Sequence, residues 1–297
     1  MDKSNKVSIL IVNFNTKKLL VDCIESIYAH TTLLFEIIVV DNASTDGSVA
    51  AVRKLNKKEV TILSNKSNVG FAKANNQAIS LAKGKYLLLL NSDTILTEDA
   101  IGRTVEYMNQ HPKIGIASCK LLNPDGSLQP TGGYFPTLLR VFFWMSFIDD
   151  LPFISSLVLP FHPAASFYKQ SRSLDWVTGA FFCVRAQVVR DIGGLDEDYF
   201  MYVEELDFCY RAKRKGWSVG YVPSTSIIHF GRASSTNEFA IVSEYKNLQL
   251  FYTKHFESQA QISRLLLKFG AITRRVLFAI LGRPAQSRIY AKAFSIV

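Results

Sequence analysis

The amino-acid sequence predicts an α/β fold in which strands and helices alternate. Apolar runs of strand length recur from Val7 to Ser118, separated by stretches with helical spacing. The clearest run, Tyr86 to Leu90, is unbroken and short, the pattern of a strand buried on both faces. Several of these runs give way to asparagine or aspartate, which sets polar groups along one edge of a parallel sheet, where such sheets bind ligands.

The elements follow in order. Val7 to Val12 is a β-rich run that stops at Asn13-Phe14-Asn15, and Leu19 to Tyr28 follows with helical spacing. Glu36 to Val40 is a second buried strand, ending at Asp41-Asn42. Ser44-Thr45-Asp46 offers a cap to a helix carrying Val49, Val52 and Leu55. Val60 to Leu63 is a third strand, and Asn68-Val-Gly-Phe71 leads into a helix from about Ala72 to Ala82. The Tyr86 to Leu90 strand stops at the polar turn Asn91-Ser92-Asp93. Thr97-Glu98-Asp99 then starts a helix, followed by a strand at Ile114 to Ser118. Such βαβ units imply a parallel sheet with right-handed crossovers.

Bulk properties narrow the function. The 297 residues are 48% hydrophobic and 20% charged, a globular composition with a sizeable core. Met1 to Lys6 are polar and the apolar run after them ends at Val12, so the start does not resemble a signal peptide. Cys23, Cys119, Cys183 and Cys209 are scattered, with no C-x-x-C spacing, and read as buried thiols in a reducing compartment. From Lys246 onward nine cationic side chains face one acidic residue, Glu257, so +8 of the net +9 lies in the tail. The body is nearly neutral, and a nucleic-acid footprint over its surface is not expected.

Asn13, Asp41, Asn68 and Asp93 lie just past strand ends and would converge on one edge, with amides and carboxylates suited to a base, a ribose and a diphosphate. Four independent turn residues are the plainer alternative. Neither G-x-G-x-x-G after the first strand nor G-x-x-x-x-G-K-[ST] is present, which disfavours a dinucleotide dehydrogenase and a P-loop NTPase. A diphosphate here needs another counter-charge, and a divalent metal held by Asp93 supplies it.

Several blocks in order resemble the inverting family 2 glycosyltransferases, and most closely the rhamnosyltransferase-like branch that builds bacterial surface polysaccharides. They are Val39-Val-Asp-Asn-Ala-Ser-Thr-Asp-Gly47, Asn68-Val-Gly-Phe-Ala-Lys-Ala-Asn-Asn76 and Leu89-Leu-Asn-Ser-Asp93. Asp125-Gly-Ser-Leu-Gln129, Trp176-Val-Thr-Gly-Ala180, Phe200-Met-Tyr-Val-Glu-Glu-Leu-Asp207 and His229-Phe-Gly-Arg-Ala-Ser234 continue the series. The resemblance implies a GT-A fold with a Rossmann-like mixed sheet flanked by helices, a nucleoside-diphosphate sugar donor (dTDP or UDP) and a divalent cation, Mg2+ or Mn2+. It also implies one displacement that inverts the anomeric centre.

Residue by residue, Asp41 matches the family's base- and ribose-binding aspartate. Asn91-Ser92-Asp93 matches its D-x-D metal motif, with Asn91 in the first acidic place and Asp93 the only carboxylate. His229 matches a histidine that completes the metal site in some members. Asn13, Asn42, Asn68, Asn76, Asn91 and Gly179 join Asp41 as expected donor contacts, and Trp176 is an expected acceptor platform. In the acidic block Glu205 holds the place of the general base, usually Asp, and Glu204 precedes it.

Two readings of those glutamates stand side by side. As the start of a helix from Val203 to Lys215 they are favoured by the helix dipole, with no catalytic role required. Asp207 and Arg211, spaced i, i+4, are set for an ion pair. The region from Leu138 to Phe161, including Val141 to Ile148, is ordinary core or an apolar lid over a lipid-linked acceptor; it is too short to span a bilayer. From Gln261 to Leu281, Arg264, Lys268 and Arg275 lie on one helical face, with Leu265, Phe269, Ile272, Val276 and Ile280 opposite. That pattern suits a helix in an anionic membrane surface or a helix docked on the body.

The expected organisation is a GT-A domain over residues 1–255 and a basic amphipathic extension over 256–297. The expected activity is sugar transfer, with rhamnose a candidate, to a glycan or polyprenyl-linked acceptor on the cytoplasmic face of the membrane. A sugar nucleotidyltransferase, or an inactive membrane-bound nucleotide-sugar-binding module, is the alternative.

Overall fold

A computed structural model describes residues 6–151, 159–170, 172–231 and 236–297. Pro152, and Arg232 to Ser234 at the end of the last motif, lie outside the described residues. The chain forms two compact units. The first comprises residues 1–132, 165–200 and 204–234, and the second residues 133–164, 201–203 and 235–297. The expected boundary after residue 255 falls at the end of a helix within the second unit.

In the first unit the opening elements run β1 (Val7–Asn13), α1 (Lys17–His30), β2 (Phe35–Asp41), α2 (Ser48–Lys54), β3 (Val60–Ser64) and α3 (Phe71–Leu81). They continue through β4 (Tyr86–Leu90), β5 (Thr94–Leu96), α4 (Ala100–Gln110) and β6 (Ile114–Leu122). Two later strands, β7 (Phe181–Arg185) and β8 (Ser218–His229), complete the sheet, in the order β3-β2-β1-β4-β7-β6-β8-β5. β1, β2, β3 and β4 are parallel, with Asn13 opposite Asp41 and Leu10 opposite Leu89.

The sheet is mixed. A purely parallel sheet would set β6 beside β4, but β7 lies between them and runs antiparallel to both. Its residues are almost all buried, so its apolar run matches that of a parallel strand and only the topology tells the two apart. Residues of alternating parity face opposite ways. Ile9, Ile11, Ile37, Val39 and Leu88 pack with residues of α1, α2 and α4. Leu87, Leu89, Phe182 and Val184 turn to the other face, beside Ile79 of α3 and Phe208.

Two local details differ from the sequence-based expectation. Thr94–Leu96 is a short strand that pairs with β8, so the chain after Asp93 extends along the sheet before Asp99 caps α4. Its three residues are too few to show a period. Gly47, in the left-handed region, occupies the N-cap of α2, and Asp46 instead accepts from Ser48 N and from Lys17 N at the start of α1. All four cysteines are free and buried, and burial pushes the Cys23 and Cys183 thiols up to about 12.

The second unit is helical: Leu138–Met145, Asn237–His255, Ala260–Ile280 and Pro284–Ile296. The Leu138–Met145 helix is core on one side, through Val141 and Met145, and exposes Leu139 and Phe142 on the other. The Ala260–Ile280 helix is docked through Ser263, Leu267, Gly270, Ala271 and Arg274. A Cβ on Gly270 would lie 1.9 Å from Met145 Sδ, so only glycine allows this approach. Arg274 donates to the carbonyls of Met145 and Trp144, at 2.9 and 2.7 Å. No described helix is long and apolar enough to cross a membrane.

Candidate active site

The ends of β1, β2 and β4 meet along one edge, as the parallel register requires. Asn13, fully buried, donates from Nδ2 to Asp41 Oδ1 at 2.7 Å and to Ser44 Oγ at 3.0 Å. Asp41 Oδ2 accepts from Ser44 N at 2.9 Å. Thr16 links this pair to β4, donating to Asn13 Oδ1 at 2.6 Å and sharing a 2.8 Å hydrogen bond with Ser92 Oγ. Asn42 donates to Gly70 O at 3.2 Å and accepts from Asn65 at 2.9 Å. The network holds the Asp41 carboxylate in one orientation.

The remaining donor-side residues divide. Asn68 is exposed and accepts from Gly70 N at 3.0 Å, which shapes the turn into α3. Gly70 has φ +88, and a Cβ there would come within 2.6 Å of Phe200 O. Asn76 stands apart: its amide bonds both ways to the Leu195 backbone, at 2.8 and 2.9 Å, and reaches Glu197. Gly179 is buried, and a Cβ there would come within 3.3 Å of the Phe71 ring. Trp176 is 9% exposed, largely enclosed.

Asp93 and His229 are brought together by the β5–β8 pairing, in which His229 lies opposite Thr94. His229 Nε2 stands 3.4 Å from Asp93 Oδ1 and 3.4 Å from Asn91 Nδ2. On the other side of the ring, Nδ1 is 2.8 Å from Gln129 Oε1. An amide oxygen only accepts, so Nδ1 carries the proton and Nε2 presents a lone pair. The amide is oriented by its own Nε2, which donates at 2.6 Å to both His229 O and Asn123 Oδ1. A lone pair thus faces a carboxylate oxygen, an arrangement that a cation between them satisfies. Among the described residues no group of three His, Cys, Asp or Glu could hold a metal ion. Two ligands fit the hard divalent ions that take their remaining oxygens from substrate phosphates and water.

Sequence reasoning quoted Gln129 in a motif but assigned it no role. Its function depends on a strand pairing that joins positions 100 apart in the chain, which no local pattern encodes.

The helix Glu204–Arg214 carries the acidic block. Asp207 is buried and paired with Arg211 at 2.7 Å, as the i, i+4 spacing predicts, and Arg211 also donates to Ile192 O and Gly194 O. Asp207 is thereby committed to structure. Glu204 is 3% exposed and Glu205 is half-buried. Burial, and then the neighbouring Glu205 charge and hydrogen bond, raise the Glu204 carboxyl well above the usual range. Tyr202 and Val203, just before, both have φ +73, and Asn247 holds the Met201 and Tyr202 carbonyls at 3.0 and 2.8 Å. For a β-branched residue this backbone is strained.

A stability prediction follows from Glu204. Its folded pKa is raised, so its favourable contribution is complete below the unfolded carboxylate pKa of about 4.3 and is lost as pH climbs toward the folded value. Glu204→Gln should therefore melt a few degrees above wild type at neutral pH, and the gap should close below about pH 4. Melting curves across that range check it; a gap that persists at low pH refutes the assignment.

Comparison with known proteins bears on the same edge. The Glycosyl transferase family 2 model matches residues 8–159, and that of Glycosyl transferase family group 2 matches residues 86–247. The N-acetylglucosaminyl-diphospho-decaprenol L-rhamnosyltransferase of Mycobacterium tuberculosis is 26% identical over 235 residues, covering 72% of this chain and 73% of the relative. The Low-salt glycan biosynthesis hexosyltransferase Agl10 of Haloferax volcanii is 25% identical over 289 residues, covering 92% and 85%. Among solved structures, the mannosyltransferase PcManGT of Pyrobaculum calidifontis, in complex with GDP-Man and Mn2+, superposes with a TM-score of 0.63 at 15% identity. It covers 99% of this chain and 87% of that one. That superposition identifies the sheet as a GT-A fold. With the first model spanning β1 to β6 and the second taking in Asp93, Glu205 and His229, the chain belongs to glycosyl transferase family 2.

Proposed function

We propose that this glycosyltransferase moves a sugar, with rhamnose the first candidate, from a dTDP- or UDP-sugar to a hydroxyl of a glycan or polyprenyl-linked acceptor, with inversion. The observation that carries the reading is the Asp93–His229 pair, a lone pair and a carboxylate oxygen 3.4 Å apart. It sits at the strand-end edge that also carries the Asn13–Asp41 pair.

In this reading the Asn13–Asp41 pair takes the nucleoside, because its orientation is set before the ligand arrives and little ordering cost remains. Asp93 and His229 Nε2 hold a Mg2+ or Mn2+ ion, with Gln129 keeping the imidazole in the liganding tautomer. A divalent cation there neutralises the diphosphate leaving group. Glu205 accepts the proton of the acceptor hydroxyl as its oxygen bonds to the anomeric carbon and the carbon–oxygen bond to the diphosphate breaks. Glu204, protonated, leaves Glu205 as the one charged carboxylate of the two. Trp176 contributes to the acceptor side. A polyprenyl-linked acceptor puts the reaction on the cytoplasmic face of the membrane, with the C-terminal tail as the peripheral contact.

The relatives support the sugar class, since one is an L-rhamnosyltransferase that acts on a decaprenol-linked acceptor by its name. The test is a thermal-shift panel of UDP, dTDP, GDP and their sugars, each with and without manganese. One nucleotide should stabilise the chain most, and manganese should enlarge the shift. No nucleotide-dependent shift in any combination refutes the reading.

A further inference from the structure

The C-terminal helix Ala260–Ile280 is docked on its own unit by the face opposite to its large apolar residues. Leu265 is 67% exposed, Phe269 45%, Ile272 47%, Val276 50% and Ile280 78%, and Ile262 extends the row. Their spacing of three and four residues makes one stripe about 27 Å long, at 1.5 Å per residue. Arg264 and Arg275 are exposed and Lys268 is half-buried on the flank of this stripe. Patches of this size are not left to water on a monomer without a partner.

We infer that this stripe is a bilayer-docking surface: the helix lies in the plane of the membrane with Ile262 to Ile280 at the acyl boundary. Arg264, Lys268 and Arg275 then stand among anionic headgroups. Charge selects the occupant. Nearly all the net charge of the chain, +8 of +9, lies from Lys246 onward. A second copy docked stripe to stripe would bring two strongly cationic tails together, whereas an anionic lipid surface complements them. A crossing orientation is excluded for this helix by its four cations, Arg264, Lys268, Arg274 and Arg275. The inference rests on the proposed membrane-face reaction for its setting alone; the surface is read from burial and charge.

Truncation is a poor test, because the helix also supplies the buried Leu267 and Ala271. The full chain is compared with Leu265→Gln/Ile272→Gln and with Arg264→Gln/Lys268→Gln/Arg275→Gln, in flotation with phosphatidylcholine vesicles with and without phosphatidylglycerol. The apolar pair should lose roughly a hundredfold in partitioning to both vesicles. The cation triple should lose about a hundredfold on phosphatidylglycerol vesicles and little on neutral ones. Both variants should keep the wild-type melting temperature, since the substituted side chains point away from the core. Equal partitioning of wild type and the apolar pair overturns the inference. So does a wild type that ignores vesicles and is dimeric in solution while the apolar pair is monomeric. The manganese-dependent nucleotide shift is measured on the same samples. Vesicle binding without it sinks the proposed reaction and leaves the docking surface standing.

Discussion

Glu205→Gln should lose turnover by about 10² to 10⁴ while it binds donor and metal as wild type does. The substitution keeps shape and removes only the capacity to accept a proton, so the loss falls on the chemical step. On a free-energy scale it is about 2.7 to 5.5 kcal/mol of transition-state stabilisation. The local structure supports Glu205 over its neighbours. Asp207 is buried under Arg211, and Glu204 is pushed toward its neutral form by burial beside a second carboxylate. Glu205 is the half-buried member, open enough to receive a hydroxyl. Glutamate is one methylene longer than the aspartate usual at this position. The strained turn at Tyr202 and Val203, which sets the direction in which the helix begins, is one place where that length could be absorbed. Glu204→Gln should lose less turnover than Glu205→Gln. Wild-type turnover of Glu205→Gln with the true acceptor would place the base elsewhere.

Asp93→Ala should abolish the part of nucleotide stabilisation that depends on manganese, and lower transfer on the order of 10³-fold or more. The acidic place at Asn91 holds an amide, so Asp93 is the only carboxylate of the motif and its removal leaves His229 alone. His229→Ala should weaken the manganese effect less, since the carboxylate supplies the charge. Titrating manganese against melting temperature at fixed nucleotide separates the two variants. Equal manganese dependence in wild type and Asp93→Ala would remove Asp93 from the metal site.

The first half of the fold is legible because its strands are short, apolar and closed by polar turns. Val7–Asn13, Phe35–Asp41 and Tyr86–Leu90 lie within a residue of where the pattern puts them. Asn13 and Asp41 then converge simply because parallel register aligns strand ends. What was not legible depends on long-range pairing. β7 slots antiparallel between β4 and β6 although its apolar run carries no sign of direction. Asn76 sits inside a recognised motif, yet its amide is spent on the Leu195 backbone. Gln129 acquires its role only when β8 returns His229 to the same end of the sheet. In the tail, periodicity separated two faces but not which one packs inward, and that choice belongs to Gly270.

The approach of Gly270 to Met145 also constrains how this protein could change over time. Rolling the helix to hide its apolar row would drive a larger side chain into a space that has no room for one Cβ. The helix therefore has a fixed azimuth, like a keel. A lineage that no longer needed the bilayer could not tuck the row away by small steps. It would have to replace Leu265, Phe269 and Ile272 one by one with polar residues, each change neutral to the fold. Gly270 should outlast them, and a chain with a polar row and an intact glycine would be the trace of a lost membrane contact.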